Sequence, residues 1–439
     1  HGIVAVVANG SARRARYTDV LPLRVPVPLP STGGHRAETR PQIDRGAWLL
    51  FFSQGLSGLG AGPFVAFGAI YQRQLGASAL EIGLLAAVAM VVATLVMIPG
   101  TRLAERHSLR KTIIAGWIIA LPAPLFFAVA PHWAWTAVGM VFLQASVINT
   151  PAISVYLTLG VPRDRIAMVM TTVMSAYSIG LIASSLLTGW LAQVAPLFAL
   201  FWFSFAFYCL AAVCITFLPA KEHRRGISAG LRYRDLIRYP AYTVLLGLFT
   251  VVTVIIFLPW TFTALYARDF GHVDNLWIGV LMACLYLGSV FLGLSLGGLR
   301  RTLGSVVIVL AFEAAYVLSA VLLFTSSALP LLVVAFFLRG AFWSFRHVMT
   351  AVIGEVLPDA AMAKGYGLFA LVTGAAAAFA YPIGGWMYGM HAMMPFWSSA
   401  LLMAGGMVAT LIVRSYFHAN YLKPVQIETL QDEALPRAA

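Results

Sequence analysis

The sequence predicts an all-α integral membrane protein whose twelve transmembrane helices form two pseudo-symmetric six-helix halves. Three observations carry this expectation. Of 439 residues, 60% are hydrophobic and only 10% are charged, a composition outside the range of soluble domains. The apolar residues come in runs of about 20 or more, the length a helix needs to cross a hydrocarbon core of ~30 Å. These runs lack the alternation of a barrel strand, and in lipid a helix is the remaining way to satisfy every backbone hydrogen bond. Finally, the chain repeats itself at an offset of 196 residues: Pro63 falls on Pro259, Ile82-Gly83 on Ile278-Gly279, Leu103 on Leu299, Pro162 on Pro358 and Gly189-Trp190 on Gly385-Trp386. One gap-free offset across both halves reads as an internal duplication.

Taken in order, residues 1–46 are rich in Arg, Pro and Gly, with Pro22, Pro26, Pro28 and Pro30 favouring an extended polyproline conformation. This segment is read as a disordered cytoplasmic tail. Asn9-Gly10-Ser11 matches a glycosylation acceptor, but on a cytoplasmic tail it meets no glycosylation machinery. The first apolar run long enough to insert begins near Ala47 and is of full spanning length, so no cleavable leader is expected. Spans are placed at 47–71, 82–99, 112–130, 134–158, 167–193 and 197–218, and after a linker at 241–266, 276–299, 304–325, 329–353, 365–389 and 394–416. The expected units are therefore an N-terminal half, 47–218, a basic linker, 219–240, a C-terminal half, 241–417, and a polar cytoplasmic tail, 418–439. The linker carries Lys221, Arg224, Arg225, Arg232, Arg234 and Arg238.

The formal net charge of +13 raises the question of nucleic acid, and its distribution answers it. All Lys and Arg except Arg73, Arg268, Arg339 and Arg346 fall on one side of the predicted spans. The positive-inside rule makes that side the cytoplasm, so the basicity is a topology signal and a contact for anionic lipid rather than a nucleic-acid groove. Twelve spans then put both termini in the cytoplasm, and a bacterial inner (plasma) membrane is the expected location. Cys209, Cys214 and Cys284 lie inside apolar runs and imply no disulfide framework. Gly293-Leu294-Ser295-Leu296-Gly297 matches a nucleophile-elbow pattern but sits in a membrane helix with no strand before it. No metal-ligand cluster, Walker loop or dinucleotide fingerprint is found, so no metal or cofactor is expected and any transport must run on a gradient. Gly58 with Gly62, Gly293 with Gly297 and Gly385 with Gly389 are spaced for close helix packing or for sliding seams. Pro63 and Pro259, at matching points of spans 1 and 7, are candidate hinges.

The loop after span 2, Leu103-Ala104-Glu105-Arg106-His107-Ser108-Leu109-Arg110-Lys111, resembles the signature loop of the major facilitator superfamily, and Gly297-Gly298-Leu299-Arg300-Arg301-Thr302-Leu303-Gly304 is its twin after span 8. Thr101, Glu105 and Ser108 stand where the family pattern has Gly, Asp and Gly. The resemblance, over about residues 47–417, implies a secondary active transporter that works by alternating access. It implies that spans 1, 4, 7 and 10 line a central cavity. It also implies that Glu105, with Arg106 and Arg110, latches the halves together on the cytoplasmic side. The proton-antiporter signatures are missing: Leu143 occupies the span 4 arginine position, and span 5 reads Ser184-Ser185-Leu186-Leu187-Thr188-Gly189.

Ionisable groups at membrane depth are costly and mark function by default. Arg339, Trp343, Arg346 and Thr350 share one face of span 10, with His347 beside them, and this stripe resembles a substrate wall. Gln54, Gln144, Asn149 and Trp260 add amide and aromatic groups on spans 1, 4 and 7. Further hydroxyls and rings come from Ser57, Tyr71, Thr150, Tyr156, Thr253, Thr263 and Tyr266. Glu313 of span 9 stands at a depth similar to that of Arg346, which leaves two readings open: a structural ion pair, or Glu313 and His347 as carriers of a coupling proton. The expected partners are the bilayer, a small organic solute and protons. The alternatives are a proton-driven multidrug or metabolite efflux pump and a transporter-like receptor that does not transport. An intramembrane enzyme lacks any catalytic constellation.

Overall fold

The computed structural model describes residues 44–159, 161, 163–221, 233–236, 239–325, 327–357 and 359–420. Two units separate, His1–Gln42, which lies outside the described residues, and Ile43–Ala439, which carries every element below. Of the expected tails, 1–43 and 421–439 also fall outside, as do most of the basic linker and the side chains of Arg106, Arg346 and His347; helix already begins at Arg45 and continues to Asn420, inside the bounds expected for the tails.

The described residues are helical, with no strand among them, and contain twelve helices long and apolar enough to cross a membrane. Span 1 is Arg45–Gln74, span 2 Ala79–Glu105, span 3 Leu109–Ala128, span 4 Trp133–Thr158, span 5 Met168–Val194 and span 6 Ala199–Thr216. Span 7 is Pro240–Asp269, span 8 Asn275–Leu296, span 9 Ser305–Thr325, span 10 Leu329–Thr350, span 11 Lys364–Met390 and span 12 Met394–Ser415. Each predicted span is present. A short helix, Tyr233–Leu236, lies between spans 6 and 7 and docks its buried Leu236 with the residues of the second half.

The two prolines chosen as hinges behave differently. Span 7 is interrupted just after Pro259, at Thr261 and Phe262. Span 1 runs unbroken through Pro63. Proline has no N–H for the carbonyl four residues back, here that of Leu59, and Ser184 Oγ of span 5 donates to it at 2.5 Å. Ser204 Oγ of span 6 likewise donates to Gly60 O at 2.7 Å. The Ser184 hydroxyl thus supplies what the proline removes, Ser204 adds a second tie one residue on, and the helix keeps its line. Span 10 breaks at Gly340, which separates Leu329–Arg339 from Ala341–Val356 and lies against the backbone of span 8. Span 4 passes through a 3₁₀ turn at Ser146–Asn149 before Pro151.

The connections follow local chemistry. Ser78 caps span 2 by accepting from Glu81 N, and Glu81 Oε2 accepts in return from Ser78 N at 2.7 Å. The turn between spans 8 and 9 needs a left-handed residue and has Gly304 at φ +82. Its repeat partner Ser108 sits at φ −63 and starts span 3 from extended backbone, so the first signature loop makes its turn without the glycine it lacks.

The two ends of the bundle differ in how their cores connect. At the end bearing the loops between spans 1 and 2, 3 and 4, and 7 and 8 (the loop face), a single cluster takes Phe67, Tyr71 and Ile82 from the first half and Phe262, Tyr266 and Ile278 from the second. At the opposite end (the linker face) the first half has its own core around Leu50, Trp117, Tyr156 and Ile215. The second half has another around Tyr242, Phe249, Ile308 and Ile353, which also takes in Ala86 and Ala87 of span 2. Two seams join the halves. Spans 2 and 11 meet where Gly83 lies under the Tyr381 carbonyl, Gly385 lies against Ala79 and Leu80, and Gly374 meets Thr94. Spans 5 and 8 meet where Gly189 faces Gly279, with Asn275 Nδ2 donating to Ala192 O at 2.9 Å. Of the glycine pairs singled out, Gly385 belongs to a seam, whereas Gly58 and Gly62 pack span 1 on span 5 inside one half.

Candidate functional site

The candidate residues divide between the middle of the bundle and the interior of the second half. In the first half, Gln54 Nε2 of span 1 reaches Met174 Sδ of span 5 at 3.7 Å, and Trp117 Nε1 donates to Ser57 Oγ at 3.0 Å. Asn149 is buried in the 3₁₀ turn of span 4 against Gly116, whose missing side chain makes room for the amide. Gln144 is half-buried on the same span. In the second half, Trp260 of span 7 and Trp343 of span 10 meet edge to face at 5.7 Å between centroids, with Phe342 packed on both at 4.6 and 5.2 Å. The buried Trp343 Nε1 makes no hydrogen bond.

Arg339 is 0% exposed. Its Nε donates to Thr263 Oγ1 of span 7 at 3.1 Å, and its guanidinium lies 5.3 Å from the Tyr316 ring centroid and 5.4 Å from that of Phe396. Such ring faces attract a cation, yet Nη1 and Nη2 have no hydrogen-bond partner. Glu313 is 1% exposed; Thr410 Oγ1 of span 12 donates to its Oε1 at 2.9 Å, and Oε2 has no partner. It borders a small cavity of about 10 Å³ lined by Val252, Ile256, Phe312, Tyr316, Phe342 and Phe345 among others, near the lower limit for one water molecule. Tyr316, one helical turn after Glu313, joins that cavity to the Arg339 box and donates to Ser399 Oγ at 3.3 Å.

The structure thus places Arg339 and Glu313 on either side of one tyrosine. The side chains of Arg346 and His347 lie outside what it describes, so the expected meeting of Glu313 with Arg346 is not described either. Tyr316, Phe396 and Thr410 escaped the sequence reading; the three-residue spacing of Glu313 and Tyr316 on span 9 was the available signal. Tyr177, Tyr208 and Tyr286 also escaped it. Tyr177 of span 5 stands within electrostatic reach of Tyr208 and, across the seam, of Tyr286, whose buried hydroxyl is unpartnered.

At the linker face, Glu105 is exposed, and among the described residues no ion pair to it is seen. Arg110 Nη2 donates to Thr216 O at 2.7 Å, closing the carbonyl end of span 6 in its own half. Lys221 pairs with Asp44 Oδ2 at 3.0 Å, lies 4.5 Å from the Tyr156 ring centroid and donates to Tyr156 O at 3.3 Å. This tethers the start of the linker to spans 1 and 4. Among the described residues no cluster of His, Cys, Asp and Glu is arranged to hold a metal ion.

The family model of the Major Facilitator Superfamily matches residues 50–345. No curated protein matches the chain by sequence. Among solved structures, the nucleoside transporter NupG superposes with a TM-score of 0.70 at 13% identity, covering 85% of this chain and 99% of its own. A POT family transporter in complex with a thioalcohol-conjugated peptide gives 0.70 at 12% identity, covering 85% and 96%. A bacterial homolog of the human lysosomal transporter Spinster, inward-facing and unoccupied, gives 0.62 at 14% identity, covering 87% and 97%. At these identities the likeness is one of fold. With twelve membrane-crossing helices, a duplicated six-helix plan and a family match over most of its length, the chain is a multi-pass integral membrane transporter and belongs to the Major Facilitator Superfamily.

Proposed function

We propose that this protein is a secondary active transporter that moves a small organic solute by alternating access. The observation that supports this reading best is the unequal joining of the halves: one core built broadly from both at the loop face, and at the linker face two cores, of which the second takes just Ala86 and Ala87 of span 2 from the first half among its buried residues. A bundle packed this way is closed at one face and parted at the other. The positive-inside rule makes the linker face cytoplasmic, with both termini there, and the state inward-facing. A bacterial inner membrane suits this topology. The moving bodies are residues 47–218 and 241–417, joined by the linker 219–240.

The solute site lies between spans 1, 4, 7 and 10, where Gln54, Gln144, Asn149, Trp260 and Trp343 supply amide and ring contacts. Arg339, Arg346 and His347 bias it towards a polar or anionic solute. Glu313 and His347 are the candidate carriers of a coupling proton, and Glu105, Arg106 and Arg110 close the cytoplasmic side when the halves rock. A proton-driven efflux pump is the second reading, and the burial of Arg339 favours it: a guanidinium sealed by Thr263, Tyr316 and Phe396 is structural, and leaves the aromatic pair to choose the solute.

Thermal stabilisation of the purified protein by organic anions, sugars and lipophilic cations separates these readings, because a ligand bound only to the folded state raises the melting temperature. Anions that stabilise the wild type but not Arg339→Ala support the anion transporter. Cations that stabilise both equally make the arginine structural and favour efflux. Ligand binding with no counterflow in proteoliposomes would leave a receptor and end the transport reading.

A further inference from the structure

Arg339 carries a charge that its described neighbours do not balance. The side chain is fully buried, and a guanidinium keeps its proton in any protein setting. Nε is spent on Thr263 Oγ1, while Nη1 and Nη2 have no hydrogen-bond partner. The Tyr316 and Phe396 rings beside it offer π faces rather than lone pairs. The Tyr316 hydroxyl stands within electrostatic reach, but it is neutral and donates to Ser399 Oγ, so it supplies no countercharge. Glu313 lies one helical turn nearer the linker face and is bonded to Thr410, and its second oxygen is not on the guanidinium.

A second unpartnered donor lies on the same wall. Ser319, one turn after Tyr316 on span 9, is fully buried and its hydroxyl has no partner. A helical hydroxyl normally falls back on the carbonyl one turn earlier, as Ser185, Thr253 and Thr373 do here. Ser319 does not. Span 9 packs on spans 10 and 12, which carry Arg339 and Phe396. Long helical side chains lean towards the N-terminal end of their helix. For span 10 that end is the loop face, the direction in which Ser319 lies from Tyr316. The guanidinium and the hydroxyl therefore converge, as donors that lack an acceptor. Donors of which one is charged form strong, short hydrogen bonds to an anion, and a guanidinium at membrane depth is costly without one. Thr263, Tyr316, Phe396 and Ser399 around them are all buried, so the enclosure suits a monatomic ion and not an organic one.

We propose that Arg339 and Ser319 hold a chloride ion inside the second half, between spans 9 and 10. Nη1, Nη2 and Ser319 Oγ donate to the ion, and the ion balances the arginine. Ser319 stands ~9 Å along span 9 from its loop-face end at Thr325, and Phe396 lies in the first turn of span 12 at the same face. The ion is therefore taken up from the loop face, past Phe396. An arginine occupied in this way is withheld from the solute, and the chloride is bound whichever solute is carried.

The melting temperature of the purified full chain, without solute, in potassium chloride against potassium gluconate at one ionic strength tests this. Chloride should raise it in step with the logarithm of concentration above the dissociation constant. Ser319→Ala should need about tenfold more chloride for the same rise, the loss of one hydrogen bond to a charged group. A buried hydroxyl that binds nothing would leave the chloride response unchanged when removed. Ser53→Ala is the control for that: its hydroxyl is also buried and unpartnered, but in the first half, and this variant should respond as the wild type does. Arg339→Met, which removes the charge, should melt at the same temperature in both salts. The Ser319→Ala comparison stands even if Arg339→Met does not fold. Equal melting of the wild type in chloride and gluconate overturns the proposal. A chloride response of the same size and midpoint in Ser319→Ala and the wild type also overturns it, by placing the ion elsewhere.

Discussion

Arg73 at the end of span 1 and Asp269 at the end of span 7 occupy equivalent positions of the two repeats, separated by the same 196 residues that carry Pro63 onto Pro259. The duplication has placed opposite charges at matching points of the closed loop face. Tyr388 of span 11 stands between them: its hydroxyl donates to Asp269 Oδ2 at 3.4 Å, and Arg73 acts on it electrostatically from the other half. Both charges are exposed, so their attraction is worth at most ~1 kcal/mol. Even that biases an equilibrium between closed and open loop faces by about fivefold. Arg73→Asp should therefore shift spin-label distances across the loop face towards the open state, and the swap Arg73→Asp with Asp269→Arg should restore them. A swap that remains as open as the single variant would show that the charges do not act on each other.

The seam glycines give a prediction with a built-in control. At Gly279 a side chain would run into the Ser185 carbonyl and the backbone of Gly189, whereas at Gly247 it meets open space. Gly279→Val forces spans 5 and 8 apart at a close backbone approach, an overpacking cost of ~1–3 kcal/mol. It should lower transport and raise the accessibility from outside of cysteines introduced at the loop face, and Gly247→Ala should change neither. Equal effects from the two variants would mean that the seam is not what closes this face.

Ser184 tests how span 1 tolerates its proline. Ser184→Ala leaves the Leu59 carbonyl buried without a donor, at a cost of ~1–3 kcal/mol. The melting temperature should fall in the wild-type background. In a Pro63→Ala background the restored N–H of residue 63 takes the Leu59 carbonyl, and the same substitution should cost much less. Equal losses in both backgrounds would assign the Ser184 effect to packing alone.

The periodic features of this chain were legible because each is local or repeated. Span length, the 196-residue offset and the basic linker all follow from residues read in order, and the twelve helices appear where those runs lie. The partners of the buried ionisable groups were not legible. Glu313 bonds Thr410, 97 residues away on span 12, and Arg339 is boxed by Thr263, Tyr316 and Phe396 from three other spans. Such pairings depend on the rotation of each helix about its axis, which a pattern that is apolar all round leaves undetermined. The same holds for Pro63, whose effect on the backbone was decided by a serine on a neighbouring helix rather than by the proline itself. Ser108 illustrates the reverse case: its departure from the family pattern was visible, but only the backbone shows that the turn does without glycine there.

Glu313 is where proton coupling and solute binding can be separated. Its carboxyl is enclosed with one donor, Thr410, and a cavity with room for about one water. Phe342 both lines that cavity and packs on Trp260 and Trp343, so a solute that moves the tryptophans moves the wall of the Glu313 chamber. Glu313→Gln keeps the shape and the Thr410 contact but cannot exchange a proton. If Glu313 carries the coupling proton, this variant should lose solute accumulation driven by a pH gradient while keeping counterflow, which needs no net proton movement. Thr410→Val, which removes the donor and leaves the carboxyl, should keep coupling but shift its pH profile. A Glu313→Gln protein that still accumulates solute against a gradient would assign Glu313 to structure and leave His347 as the remaining intramembrane candidate.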